Sequence, residues 1–139
     1  MSIPKTSGIL ETSLYVGDVG RAARFYASVF GFEPMFTDDR LCAMSISGKQ
    51  VLLLFKRGAS TEPIQLAGGM LPPHDGAGQL HLAFACTREE LGRWEAHLSA
   101  QNVLIESRIR WERGGESIYL RDPDRNLIEL STPGIWPIY

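Results

Sequence analysis

Residues 117–130 read SIYLRDPDRNLIEL, and the reading of the fold turns on them. Glu116–Arg121 and Asn126–Ser131 have the composition of strands, and Asp122-Pro123-Asp124-Arg125 has that of the tight turn between them. Glu129 stands at the centre of the second strand with apolar neighbours on both sides. A buried carboxylate is costly unless it finds a cation or a proton. The stretch therefore predicts a partner for Glu129 somewhere else in the chain.

The rest of the composition is ordinary. A chain of 139 residues suits one compact domain and buries a core without staples. Hydrophobic residues make up 44%, charged residues 22%, and the formal net charge is -2. That balance gives no basic field for nucleic acid or anionic lipid. Cys42 and Cys86 form neither a disulfide framework nor a zinc motif, and read as reduced core thiols. The opening MSIPKTSGIL lacks the pattern of a signal peptide, and no apolar run approaches the ~20 residues of a membrane span. The expectation is a soluble, cytoplasmic protein.

Periodicity orders the elements. Leu10, Thr12, Leu14 and Val16 alternate with Glu11, Ser13 and Tyr15 in a first strand. Asp18 caps a helix over residues 19–30, with Ala22, Phe25, Tyr26, Val29 and Phe30 on one stripe, and Gly31 stops it. Strands follow near 33–37, 41–47 and 50–56, with a hairpin turn at Ser47-Gly48-Lys49. Residues 57–78 are rich in Gly and Pro without a period, and read as a connecting loop. The second half repeats the order. It has a strand over 79–86, a helix to about Ala100 opened by the capping box Thr87-Arg88-Glu89-Glu90, and strands near 103–110, 116–121 and 126–131. The tail TPGIWPIY reads as extended. The class is therefore α+β, with a strand–helix–three-strand module at about 8–57, a connector at 58–78, a second module at about 79–132 and a tail at 133–139.

Strand parity then selects residues. Side chains alternate between the two faces of a strand. Leu14 and Val16 share the face of the first helix, so Glu11 lies opposite. Leu80, Leu82 and Phe84 face the second helix, so His81 lies opposite. Ile128 and Leu130 leave Glu129 on the other side. Aligning the halves on their first strands sets Glu11 against His81. Two carboxylates and an imidazole converging on one side would make a divalent-metal site.

At this point ETSLYVGDVGRAARFYASVFGFEP (residues 11–34) and SIYLRDPDRNLIEL together resemble the vicinal oxygen chelate superfamily. That group includes glyoxalase I, extradiol ring-cleaving dioxygenases, fosfomycin-resistance enzymes and bleomycin-resistance proteins. The resemblance runs from about Gly8 to Thr132. It implies two βαβββ modules forming a partly open mixed β-barrel, often in a homodimer that sometimes completes its site between subunits. It also implies one divalent metal held by Glu11, His81 and Glu129. One histidine with two carboxylates suits Mn, Mg or Fe better than Zn, and Ni belongs among the metals to assay. Leu53 falls near the position of a fourth-ligand glutamate in glyoxalase I, which argues against that activity. Arg125 stands where the family's turn usually has glycine.

Further residues have two readings each. Tyr119 would hydrogen-bond a substrate oxygen, or be a wall aromatic. His74 would act as acid or base from the connecting loop, or be solvated. Arg110 and Trp111 would bind a carboxylate and stack on a ring, or form a surface pair; Leu53 would line an apolar part of the groove. Glu129, His81 and Glu11 have plainer readings too, as an edge salt bridge, a core histidine and a hydrogen-bonding carboxylate. Two functions follow. One is a metal-dependent enzyme, lyase or dioxygenase, on a small substrate with vicinal oxygens. The other is a binding protein that sequesters a small molecule, as bleomycin-resistance proteins do.

Overall fold

Local signals set both helices. Asp18 stands in extended backbone ahead of α1 (Val19–Phe30), and its carboxylate accepts the Arg21 N–H at 2.9 Å in the computed structural model, which describes residues 2–139. Gly31 closes α1 at φ 71°, a conformation that costs an ordinary side chain about 1 kcal/mol. Thr87 opens α2 (Arg88–Ala100) by accepting the Glu90 N–H at 3.2 Å. Only this half of the expected capping box forms, because the Glu90 carboxylate pairs with Arg93 at 2.6 Å instead.

The first sheet contains β1 (Glu11–Val16), β2 (Glu33–Thr37), β3 (Leu41–Ile46) and β4 (Gln50–Lys56) in the order β1-β4-β3-β2. Ser47 and Gly48 both take positive φ, 54° and 70°, as the two-residue turn between β3 and β4 demands. Residues 57–78 are not a plain loop. They carry a hairpin, β5 (Ile64–Leu66) with β6 (Gly69–Leu71), whose three-residue strands are too short to show alternation. The second sheet contains β7 (His81–Ala85), β8 (Ser107–Arg110), β9 (Glu116–Arg121) and β10 (Leu127–Ser131) in the order β7-β10-β9-β8. In both sheets the first strand runs parallel to the last, and the other pairs are antiparallel. The architecture is the predicted α+β pair of βαβββ modules. The eighth strand begins at Ser107 rather than near Val103, since Val103 and Ile105 pack against the core without joining the ladder. The tail is turned rather than extended, with the Gly134 N–H donating to the Tyr139 carbonyl at 2.9 Å.

Both helices cover the same side of the molecule and share one core. Phe30 of α1 meets Phe84 of β7 and Trp94 of α2 at ring separations of 5.1 and 5.4 Å. The DPDRN turn clamps the second module onto the first. Asp122, 3% exposed, accepts the Tyr26 hydroxyl at 2.7 Å, the Asp124 and Asn126 N–H groups and the Asn126 side-chain amide. Asp124 accepts the Gly17 N–H at 2.8 Å, and Arg21 donates to the Pro123 carbonyl at 2.8 Å. Arg125 occupies the left-handed region at φ 70°, which the turn tolerates without glycine.

The sides of the sheets away from the helices are only partly covered, and among the described residues no closed barrel forms. The accessible surface is 9064 Å². A compact monomer of this size exposes about 7,200 Å², so the chain carries an excess of about 1,900 Å². That is comparable to what one subunit of a homodimer hides.

Tyr26 is fully buried, and burial together with the Asp122 charge holds its phenol well above the ordinary value of 10.0. The folded chain keeps this proton where the unfolded chain releases it. The associated stability is whole below about pH 10 and is lost as pH rises beyond it. Tyr26→Phe is expected to lower stability by about 2 kcal/mol near neutral pH and to flatten the alkaline decline. Asp122→Ala, which strands several buried donors, should lose about 3 kcal/mol or more. Urea unfolding across pH measures both.

Candidate functional site

The carboxylate of the opening stretch does find its partner. Glu129 on β10 is 7% exposed. Its Oε2 accepts hydroxyl protons from Ser117 at 2.6 Å and Ser131 at 2.5 Å. Ser117 in turn accepts the Trp111 indole N–H at 2.8 Å. These donors leave Oε1 aimed at His81 Nε2, 3.1 Å away. The parallel register of β7 and β10 sets His81 beside Leu127, and His81 Nδ1 lies 2.9 Å from the Leu127 carbonyl oxygen. A carbonyl has no hydrogen to give, so Nδ1 carries the proton and donates. Either a proton lies between Nε2 and Oε1, carried by one or the other, or the two atoms turn lone pairs toward each other. The second arrangement is repulsive unless a cation lies between them.

Tyr119 sits opposite Glu129 in the β9–β10 register, and its ring stacks on His81 with centroids 6.3 Å apart. Burial first, then the Glu129 charge, raises the Tyr119 phenol, so it stays protonated and able to donate. Ala83 and Ala85 of β7 are small, and beside them opens a hollow of about 580 Å³. Its walls are His81, Tyr119, Glu129, Trp111, Phe84, Ser131 and the tail residues Ile135, Trp136 and Tyr139.

The structure separates the other predicted residues from this hollow. Glu11 does point away from the helices, but it lines a second hollow of about 370 Å³ on the first sheet, with Ser13, Tyr15, Arg40, Leu53 and His74. Among the described residues no group of three His, Cys, Asp or Glu side chains is placed to hold a metal ion. Convergence of Glu11 with His81 and Glu129 therefore does not occur within one chain. β1 and β7 stand on a common groove, lined by Glu11 and Thr12 of the first module and by Leu82, Ala83, Phe84 and Ala85 of the second, with Phe30 and Trp94 of the helices beside them. His74 is fixed rather than swinging: its Nδ1 lies 2.7 Å from the Tyr15 hydroxyl and its ring packs edge-on to Phe55 at 4.5 Å. Arg110 turns outward, its side chain 87% exposed and paired with Glu116. Trp111 lines the Glu129 hollow, and Leu53 lines that of Glu11. The sequence assigned no role to Ser117 or Ser131, although parity places Ser131 on the Glu129 face and register pairs it with Ser117.

Two repeated βαβββ modules, the second with a His–Glu pair on the side of its sheet away from the helices, define the class of fold. The chain belongs to the Glyoxalase/Bleomycin resistance protein/Dioxygenase superfamily, whose family model matches residues 8–130. It is 31% identical over 134 residues to a catechol-2,3-dioxygenase of Bacillus subtilis, covering 93% of this chain and 42% of that protein. The chain thus spans less than half the length of that relative. A metallothiol transferase FosB of Shouchella clausii is 24% identical, with 91% and 80% covered. The crystal structure of a lactoylglutathione lyase from Agrobacterium tumefaciens superposes with a TM-score of 0.87 at 32% identity, covering 96% of this chain and 99% of that one. A fosfomycin resistance protein, FosX, from Listeria monocytogenes shares the fold at a TM-score of 0.67 and 20% identity. No helix among the described residues is long and apolar enough to cross a membrane.

Ser117→Ala removes one of the two hydroxyls on Glu129 and strands the Trp111 N–H. A loss of about 1–3 kcal/mol in urea unfolding is expected, with the Trp111 fluorescence shifted.

Proposed function

We propose that the chain is one subunit of a dimeric, divalent-metal enzyme acting on a small substrate with neighbouring oxygens. In this reading His81 and Glu129 of one subunit hold the metal together with Glu11 of the other. The observation that carries it is the close approach of two atoms of ligand type, His81 Nε2 and Glu129 Oε1, 3.1 Å apart. Each is held by a further contact that suits a metal ligand: the Leu127 carbonyl fixes the histidine tautomer, and the two serines fix the carboxylate. The excess exposed surface and the two open hollows support assembly with a second copy. Three protein ligands leave positions for two substrate oxygens.

When bound, the metal would supply Lewis acidity to a chelated substrate. The remaining work falls to side chains. Tyr119, kept protonated, donates a hydrogen bond to a substrate oxygen beside the ligand pair. His74 and Tyr15 stand near Glu11 on the face that the partner would bring over the site, where His74 serves as acid or base. Trp111 and the neighbouring aromatics exclude water. Whether the chemistry is that of a lyase, an isomerase, a transferase or a dioxygenase is a matter for substrate screening with catechols and α-hydroxycarbonyls.

Purified without chelator, the protein is expected to carry stoichiometric Mn, Fe, Ni, Mg or Zn by mass spectrometry. Glu129→Ala and His81→Ala should each abolish it, and uptake should weaken in acid, where protons compete with the metal for its ligands. Co-expressing Glu11→Ala with Glu129→Ala separates the arrangements. If the site is shared between subunits, each mixed dimer regains one intact site and one metal. If ligands come from one chain, it regains none. A metal-free protein that still binds a ligand in the hollow would favour the sequestering function instead.

A further inference from the structure

The tail beyond the family-matched segment is built onto the mouth of the Glu129 hollow. Gly115 and Gly134 meet backbone to backbone, with the Gly115 N–H donating to the Gly134 carbonyl at 3.1 Å. A Cβ on Gly134, at φ +106°, would come within 2.5 Å of the Gly115 nitrogen, and one on Gly115 within 2.7 Å of the Gly134 carbonyl carbon. No side chain fits at either position. At the far end the Tyr139 hydroxyl lies 3.1 Å from the Cys86 carbonyl and 3.0 Å from that of Ser131, so the last residue is tied to β10 beside Glu129. Between these anchors the Tyr139 N–H donates to the Trp136 carbonyl at 3.1 Å. The result is a closed turn that presents Trp136 to the hollow while leaving it 67% exposed. A large indole held in a fixed turn, yet with most of its surface in water, packs little of the protein's own core. Across the same hollow stands Trp111, fixed through Ser117 to Glu129.

We propose that Trp136 is a specificity-determining residue, and that the ligand chelated beside His81 and Glu129 carries a flat aromatic body that stacks on it. The inference rests on the metal reading above and goes beyond it by naming the substrate class. Ring pairs in offset or edge-to-face contact gain an electrostatic attraction beyond the apolar area they bury, which a methyl group does not supply. The metal-binding head of the ligand and its ring are therefore read by separate parts of the chain, the strands for one and the tail for the other.

Two probes with one chelating head test this. Benzohydroxamate and acetohydroxamate present the same pair of vicinal oxygens, and differ in a phenyl ring against a methyl group. Titrated by calorimetry into the full-length, Mn-loaded protein, benzohydroxamate is expected to bind more than tenfold tighter. Trp136→Ala should cut that ratio to under threefold while leaving acetohydroxamate affinity, Mn content and sedimentation unchanged. Gly134→Ala, which unseats the turn without touching the indole, should reproduce the loss. The inference is overturned by equal binding of the two probes to the wild type. It also falls if the ratio survives Trp136→Ala, or if that variant dissociates a dimer, which would make Trp136 an interface residue. Failure to take up Mn sinks the metal reading and this one together, whereas Mn uptake without discrimination between the probes sinks this one alone.

Discussion

The buried carboxylate of Asp122 is the constraint on which the arrangement depends. It gathers the Tyr26 hydroxyl from the first module and the backbone of its own turn from the second. A charge hidden this far from water stays only where donors surround it. The turn is thereby locked in one shape and pressed onto the β1–α1 corner, where Asp124 and Pro123 meet Gly17 and Arg21. Asn126, held by Asp122, in turn accepts the Leu80 N–H at 2.9 Å and sets the register of β10 against β7. A slip of one residue would send Glu129 to the helix face. The motif that marks the family thus works as a latch between modules, and the functional pair inherits its geometry from that latch.

Glu129 is satisfied in a different way from Asp122. Its two oxygens have divided duties, with Oε2 saturated by hydroxyls and Oε1 reserved for His81. Such asymmetry is what a positioned ligand or general base requires, because rotation of the carboxylate is removed before anything binds. Ala83 and Ala85 complete the design by leaving space where larger β-branched residues would fill the hollow.

The open concave faces follow from the same topology. Pairing the first strand of each module with the last exposes β1 and β7 as edges, and the shared helical layer holds those edges side by side. Each sheet offers a hollow with polar groups, and neither hollow alone has the ligand set of a metal site. Relatives named as a dioxygenase, a metallothiol transferase and a lyase use this frame. Variety of that kind is expected where one fold carries different sites.

The sequence by itself determined the elements, their order and the face on which each functional residue lies. Both helices fall where Asp18, Gly31 and Thr87 place them, and parity put Glu11, His81 and Glu129 on the side away from the helices. These are short-range properties, fixed by 3.6- and 2-residue periods and by capping chemistry that acts over a few residues. Only tertiary structure decided which of those residues meet. Parity chooses a face of each sheet but not how the two sheets are set against each other, which depends on packing between distant residues such as Phe30 on Phe84 and Trp94. The hairpin at 64–71 and the closed tail escaped notice for the same reason. Their strands and turns are too short to carry a period, and the tail is held by backbone contacts, Gly134 against Gly115 and Tyr139 against Cys86, between residues far apart in the chain.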